Sequence, residues 1–173
     1  MPRDEKTARG VGGRLHQEDA SVLDVGAHDS ETWAELHLEK TLPATPDRVF
    51  ATFVEPEQLR QWWGPLGFTI PSVQFDAVPG TDYRIAMQPP DGEIFHLRGV
   101  VRAVEVPSRL AFTFIWEPPD PDDQETLVSL AFEPVDTHTR LVLDQGPFKT
   151  AERYELHRDG WSQTLDRLEA FLA

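Results

Sequence analysis

The chain contains no cysteine, which excludes a thiol nucleophile. The side chains that could do chemistry in a pocket are a few tyrosines and histidines. Tyr83 alternates with Ile85 and Met87, so its hydroxyl shares their face of a predicted strand and could orient a polar group of an apolar ligand. His157 lies four residues before Trp161, on nearly the same side of a predicted helix. A tyrosine and a histidine in one wet pocket could act as general acid or base, and a structural hydrogen bond is the alternative for each.

Other reaction centres have little support in the sequence. None of the six histidines has a metal-ligand spacing such as His-Glu-x-x-His, and no Gly-x-Ser-x-Gly elbow occurs. The acidic stretch "EPPDPDDQE" (117–125) lacks the glycine and the ligand alternation of a calcium loop, and its three prolines predict a solvated turn. We therefore predict no metal, no cofactor and no catalytic residue that the sequence alone can name.

Composition limits the class of protein and its partners. A chain of 173 residues with 39% hydrophobic residues has the size of a single domain. Its formal net charge of -14 disfavours nucleic acid and anionic membranes as partners. No stretch resembles a signal peptide or a membrane span, which predicts a cytoplasmic protein. Residues 1–31 carry eleven charges and no aromatic residue, so we predict a disordered tail there and a folded domain over 32–173.

The periodicity of the folded part predicts elements that could enclose a pocket. A strand over 33–42 precedes two short helices over 43–65, and the second of these would carry Trp62 and Trp63 on one side. Five or six strands with alternating apolar residues follow, and an amphipathic helix from about 150 closes the chain. One sheet face is apolar, and the closing helix must lie on it. The apolar side chains facing that helix would be Tyr83, Met87, Leu97, Phe112, Phe114, Trp116, Val128 and Leu130.

Three segments resemble a known superfamily. They are "ATPDRVFATFVEPEQLRQWWGP", "PSRLAFTFIW" and "LVLDQGPFKTAERYELHRDGWSQTLDRLEAFL". They look like the START-like, or SRPBCC, superfamily in its branch related to the activator of the heat-shock-protein-90 ATPase, and the resemblance covers residues from about 33 to 173. It implies an α+β helix-grip fold, in which a curved antiparallel sheet wraps around a long C-terminal helix. It also implies a cavity between sheet and helix that in relatives accepts lipids, polyketides, hormones or other hydrophobic ligands.

Three functions of different classes are compatible with this resemblance. Our choice is a non-catalytic binding protein that holds a small hydrophobic molecule in the cavity, and no oligomeric state is predicted. An enzyme of the cyclase or dehydratase kind, acting on a polyketide-like or aromatic substrate, is one alternative; a chaperone ATPase regulator, which rests on the family name, is the other. One of the two adjacent tryptophans would be core and the other would line the cavity. The predicted ligand-binding residues are Trp63, Tyr83, Met87, Leu97, Phe112, Phe114, Trp116, Val128, Leu130, His157 and Trp161.

Overall fold

A computed structural model describes residues 33–173. The tail predicted over 1–31 and its boundary with the domain lie outside the described residues. Within these residues lie seven strands and three helices, whose bounds are β1 Leu36–Leu42, α1 Pro46–Val54, α2 Pro56–Leu59, β2 Thr69–Gln74, β3 Asp82–Gln88, β4 Phe95–Glu105, β5 Arg109–Glu117, β6 Thr126–Val135, β7 His138–Gly146 and α3 Ala151–Leu172.

The strands form one antiparallel sheet in the order β1-β7-β6-β5-β4-β3-β2. Each of the strands β2 to β6 pairs with the next strand in sequence, and β1 completes the sheet beside β7. Alternation along β4 and β6 puts every second side chain on the buried face, as a strand with one wet side requires. The order of elements and the sheet that they build confirm the predicted α+β helix-grip fold.

The long helix α3 buries one stripe of its surface. Thr150 caps its first turn by accepting a hydrogen bond from the backbone N–H of Arg153 at 3.1 Å. Trp161, Leu165 and Leu168 recur at helical spacing and are at most 5% exposed. Each such leucine contributes about 1.5 to 3 kcal/mol by leaving water, so the stripe fixes α3 against the apolar sheet face.

The two short helices α1 and α2 also pack on the core. The second of them, α2, is shorter than the sequence predicts. Phe53 of α1 packs on Phe132 of β6, with ring centroids 5.5 Å apart. Helix α2 ends at Leu59, and the backbone N–H groups of Trp62 and Trp63 both donate to the Leu59 carbonyl in the turn that follows. The prediction that both tryptophans lie on one side of a helix is therefore wrong: the turn directs them to different surroundings.

Candidate functional site

A cavity of about 280 Å³ lies between α3, the loop after α2 and strands β3 to β5. Its walls are mostly apolar, and the exposed lining residues Asp159 and Gln163 mark its mouth, where Gln163 meets Leu66 of the loop after α2. The residues that line it are Trp63, Gly64, Pro65, Phe68, Met87, Phe95, Phe114, Trp116, Arg153, Leu156, His157, Asp159, Gly160, Trp161, Gln163 and Thr164.

Six of these side chains are aromatic rings that touch one another in a continuous series, which we call the aromatic belt. Successive ring centroids lie 5.1 to 6.5 Å apart, and most pairs meet edge to face. This is the separation at which aromatic pairs attract one another beyond the burial of their area. In order of contact, the belt is Phe68, Phe95, Trp116, Phe114, Trp161 and Trp63.

The adjacent tryptophans have separate roles. Trp62 is fully buried, stacks edge to face on Phe53 at 4.8 Å and donates its indole N–H to the Thr52 carbonyl at 3.1 Å. Trp63 lines the cavity and meets Trp161 at 5.4 Å. One tryptophan is thus core and the other is cavity wall, as the sequence predicts.

Trp161 is held by a buried hydrogen-bond chain. Its indole N–H donates to Gln145 Oε1 at 2.7 Å, and Gln145 Nε2 donates to Thr126 Oγ1 at 2.8 Å. Gln145 and Thr126 are at most 5% exposed. Since an unpaired polar group here would lose its solvation without compensation, this chain fixes the orientation of the Trp161 ring in the wall.

The hydrogen bonds of His157 define its tautomer. The indole N–H of Trp116 can only donate, and it donates to His157 Nε2 at 3.2 Å, so this nitrogen accepts. The proton of the neutral ring therefore resides on Nδ1, which donates to the Arg153 carbonyl at 2.9 Å. Both ring nitrogens of His157 are engaged in holding the cavity wall.

The acidic stretch 117–125 is attached to α3, which corrects the predicted solvated turn. The guanidinium of Arg153, whose side chain is only 4% exposed, contacts Asp120 at 2.9 Å, Asp122 at 3.1 Å and Asp123 at 3.1 Å. Burial raises the pKa of Asp122, but the charge of Arg153 and hydrogen bonds from Arg153 and Thr150 outweigh it and hold that pKa below its ordinary value. We call these four side chains the Arg153 cluster.

The loop over the cavity mouth is fastened to α3 from two positions. Arg167 Nη1 donates to the carbonyls of residues 63, 64 and 65 at 3.1, 3.0 and 2.9 Å. Gln163 Oε1 accepts from the backbone N–H of Leu66 at 3.0 Å. Gly160 faces this loop, and a Cβ built on it would meet only Pro65 Cγ, at 4.0 Å. A small side chain here therefore leaves the cavity mouth open, whereas a large one would reach into it.

Six of the eleven predicted ligand-binding residues line the cavity: Trp63, Met87, Phe114, Trp116, His157 and Trp161. The other five, Tyr83, Leu97, Phe112, Val128 and Leu130, are at most 2% exposed and lie in the packed core outside its lining. Their side chains lie on the same face of the sheet as the cavity lining, but at positions along the strands that do not border the cavity.

Tyr83 is held in this packed core by a hydrogen bond of its hydroxyl. It lies opposite Gly99 in the pairing of β3 with β4, and its hydroxyl donates to the Thr113 carbonyl at 2.6 Å. Burial raises the pKa of the Tyr83 hydroxyl well above its ordinary value, so this group stays protonated as a donor. Its hydrogen bond is the structural alternative that the sequence left open.

Sequence reasoning missed several cavity residues. Phe68 and Phe95 complete the aromatic belt, and Arg153 of α3 also lines the cavity. Arg153 had a signal: a cation in the first turn of a helix opposes the helix dipole and calls for an anionic partner nearby. Phe95 shares the strand parity of Leu97 and could have been included on the same ground.

Within residues 33–173, no group of three or more histidine, aspartate or glutamate side chains is arranged to hold a metal ion. No helix in the described part of the chain is long and apolar enough to cross a membrane.

Fold and cavity together define a helix-grip protein of the START-like, SRPBCC type. The family model described as "Activator of Hsp90 ATPase homolog 1-like protein" matches residues 43–173, and the chain belongs to that family. Among curated proteins no match was found.

Solved structures agree with this assignment. The AHSA1 protein of Silicibacter pomeroyi is 30% identical, with a TM-score of 0.70, and the match covers 79% of this chain and 96% of that one. A protein from Mycobacterium smegmatis is 25% identical over 81% of this chain and 91% of its own, with a TM-score of 0.69. A Chromobacterium violaceum protein, at 24% identity and a TM-score of 0.73 over 80% and 96% of the two chains, shares the fold.

Proposed function

We propose that this protein binds a small hydrophobic molecule, without catalysis, in the cavity between the sheet and α3. The observation that carries the proposal is the cavity itself, which is about 280 Å³ in volume and bounded by six aromatic rings. Concave and mostly apolar surfaces of this size favour an apolar guest, because the guest leaves water without displacing strong hydrogen bonds.

The polar groups in and near the cavity support binding over catalysis. His157 uses one ring nitrogen to accept from Trp116 and the other to donate to a backbone carbonyl. Tyr83 donates its hydroxyl to Thr113. A general acid or base must reach the proton that it transfers, and these two groups already serve the wall and the core.

Native mass spectrometry of freshly purified full-length protein tests the proposal first. The expected result is a small molecule that co-purifies and is released on unfolding. A melting screen with fatty acids, sterols, polyketides and aromatic alcohols tests it again without reliance on a retained guest. At a hundredfold excess over Kd a ligand adds about 2.7 kcal/mol of stability, which corresponds to a melting shift of about 5 to 10 °C for a chain of this length.

Two substitutions at one position provide the matched control. Gly160→Ala adds a methyl group that meets only Pro65 at an ordinary contact distance, so binding should persist. Gly160→Phe adds a ring at the cavity mouth and should abolish the melting shift. Failure of the whole panel to shift the native protein, with no co-purified molecule, would refute a binding function. A shift that is equal in the Phe variant would place the guest elsewhere.

A further inference from the structure

The volume of the cavity limits the size of its guest. An apolar protein cavity of about 150 Å³ accommodates benzene. The present cavity, at about 280 Å³, has nearly twice that volume. It therefore has room for about two fused six-membered rings, whereas a four-ring sterol would extend well beyond the walls.

The chemistry of the walls limits the shape of the guest. The aromatic belt surrounds the space with rings that already meet edge to face, from Phe68 at one end to Trp63 at the other. A flat aromatic guest can continue this pattern of edge-to-face and offset contacts. A saturated chain of equal carbon number buries a comparable area but gains no such ring–ring attraction.

The charges of the site limit the charge of the guest. Among the described lining residues Arg153 is the one cation, and its guanidinium already faces three carboxylates. The other charged lining residue, Asp159, lies 3.7 Å from Arg158, and the chain has a formal net charge of -14. An anionic guest would therefore meet a cavity wall whose cation is already surrounded by carboxylates, in a protein with an excess of negative charge.

We infer that the guest is a compact, neutral aromatic molecule of about two fused rings, and that carboxylate-bearing lipids are excluded by the Arg153 cluster. This inference rests on the proposed binding function and narrows it to one ligand class. The volume, the aromatic belt and the occupied guanidinium are three independent features of the described residues, and each removes a different group of candidate ligands.

Isothermal titration calorimetry of the full chain with three matched probes tests the inference. 2-Naphthol has two fused rings and no charge, 2-naphthoate has the same rings with a carboxylate, and 1-decanol has the same number of carbons as 2-naphthol without rings. At pH 7.5 we expect saturable 1:1 binding of 2-naphthol, and Kd values about tenfold or more weaker for each of the other two probes.

The outcomes separate this inference from the proposed function. If 1-decanol binds as tightly as 2-naphthol or more tightly, the ligand class is wrong while the binding function stands. Equal or tighter binding of 2-naphthoate overturns the exclusion of anions. If no probe binds and the melting screen is also flat, both proposals fail.

A substitution in the Arg153 cluster tests the exclusion of anionic guests by changing the protein instead of the probe. Asp122→Asn keeps the shape of the side chain but removes one of the charges that occupy the guanidinium. The affinity for 2-naphthoate should then rise several-fold relative to that for 2-naphthol, whose own Kd should remain within about twofold. An unchanged ratio of the two affinities would refute the role that we assign to Arg153.

Discussion

Replacement of Arg153 by methionine should destabilise the protein strongly. Methionine keeps much of the aliphatic length but removes the charge that Asp120, Asp122 and Asp123 share. Loss of one partner from a buried ion pair costs about 3 to 5 kcal/mol. Two of the three aspartates are partly open to water, with side chains 22% and 33% exposed, so we expect the lower end of that range, about 3 kcal/mol at pH 7.

The loss should depend on pH in a defined direction. In the native protein the pKa of Asp122 is lowered, so its contribution to stability is present above the unfolded pKa and is lost as pH falls through the folded value. In Arg153→Met the three carboxylates repel one another without a cation between them. Their protonation relieves the repulsion. The difference in unfolding free energy between the native protein and the variant should therefore shrink between pH 7 and about pH 4.

Urea unfolding followed by tryptophan fluorescence, at pH 7 and near pH 4.5, measures this difference. Arg153→Lys keeps the charge and should lose less than Arg153→Met. Arg109→Met removes a surface cation that lies 3.8 Å from Glu105 and should change stability by no more than about 0.5 kcal/mol. A loss below about 1 kcal/mol for Arg153→Met at pH 7, or a loss that is equal at both pH values, would refute the assignment of the Arg153 cluster as a buried ion pair.

Four further substitutions test the wall and the packing beside it. Trp161→Phe removes the indole N–H that donates to Gln145 and should lower the free energy of unfolding by about 1 to 3 kcal/mol. In the double variant with Gln145→Leu, a loss smaller than the sum of the two single losses would confirm that the side chains are coupled. Strict additivity of the two losses would contradict it. Gly99→Ala should prevent folding, because the added Cβ would overlap the Thr113 carbonyl. Gly160→Ala should instead raise the melting temperature, through a gain of up to about 1 kcal/mol in helix propensity. Circular dichroism measures both, and a folded Gly99→Ala variant would show that β4 and β5 are misplaced.

The fold could be predicted because each element has a strong local signal. Alternation marks the strands, Thr150 marks the beginning of α3, and the stripe from Trp161 marks its buried side. Two helix-opening prolines, Pro46 and Pro56, mark the short helices. The end of α2 was misjudged because the spacing of the two tryptophans also fits a helix, and only the tertiary contacts of Trp62 decide for a turn.

The site could be predicted only in part, because strand parity gives the face of a side chain and not its position along the strand. Phe112 and Phe114 share one face of β5, yet only Phe114 lines the cavity. Phe112 packs instead on Tyr83, with ring centroids 5.4 Å apart. The Arg153 cluster was missed for a related reason: a run of aspartates looks solvated until the helix that carries their cation is placed beside it.

The most direct test of a guest in this cavity is the shift of individual indole signals in a ¹H–¹⁵N spectrum of the full chain, which contains five tryptophans. The titration uses whichever of 2-naphthol and 1-decanol binds more tightly. The signals of Trp63, Trp116 and Trp161 should move, because all three rings line the cavity. The signal of Trp62 should move less, because its ring meets Trp63 at 5.5 Å from outside the lining and its N–H is buried against the Thr52 carbonyl. Saturable binding that leaves the signals of Trp63 and Trp161 in place would contradict a ligand site between the sheet and α3.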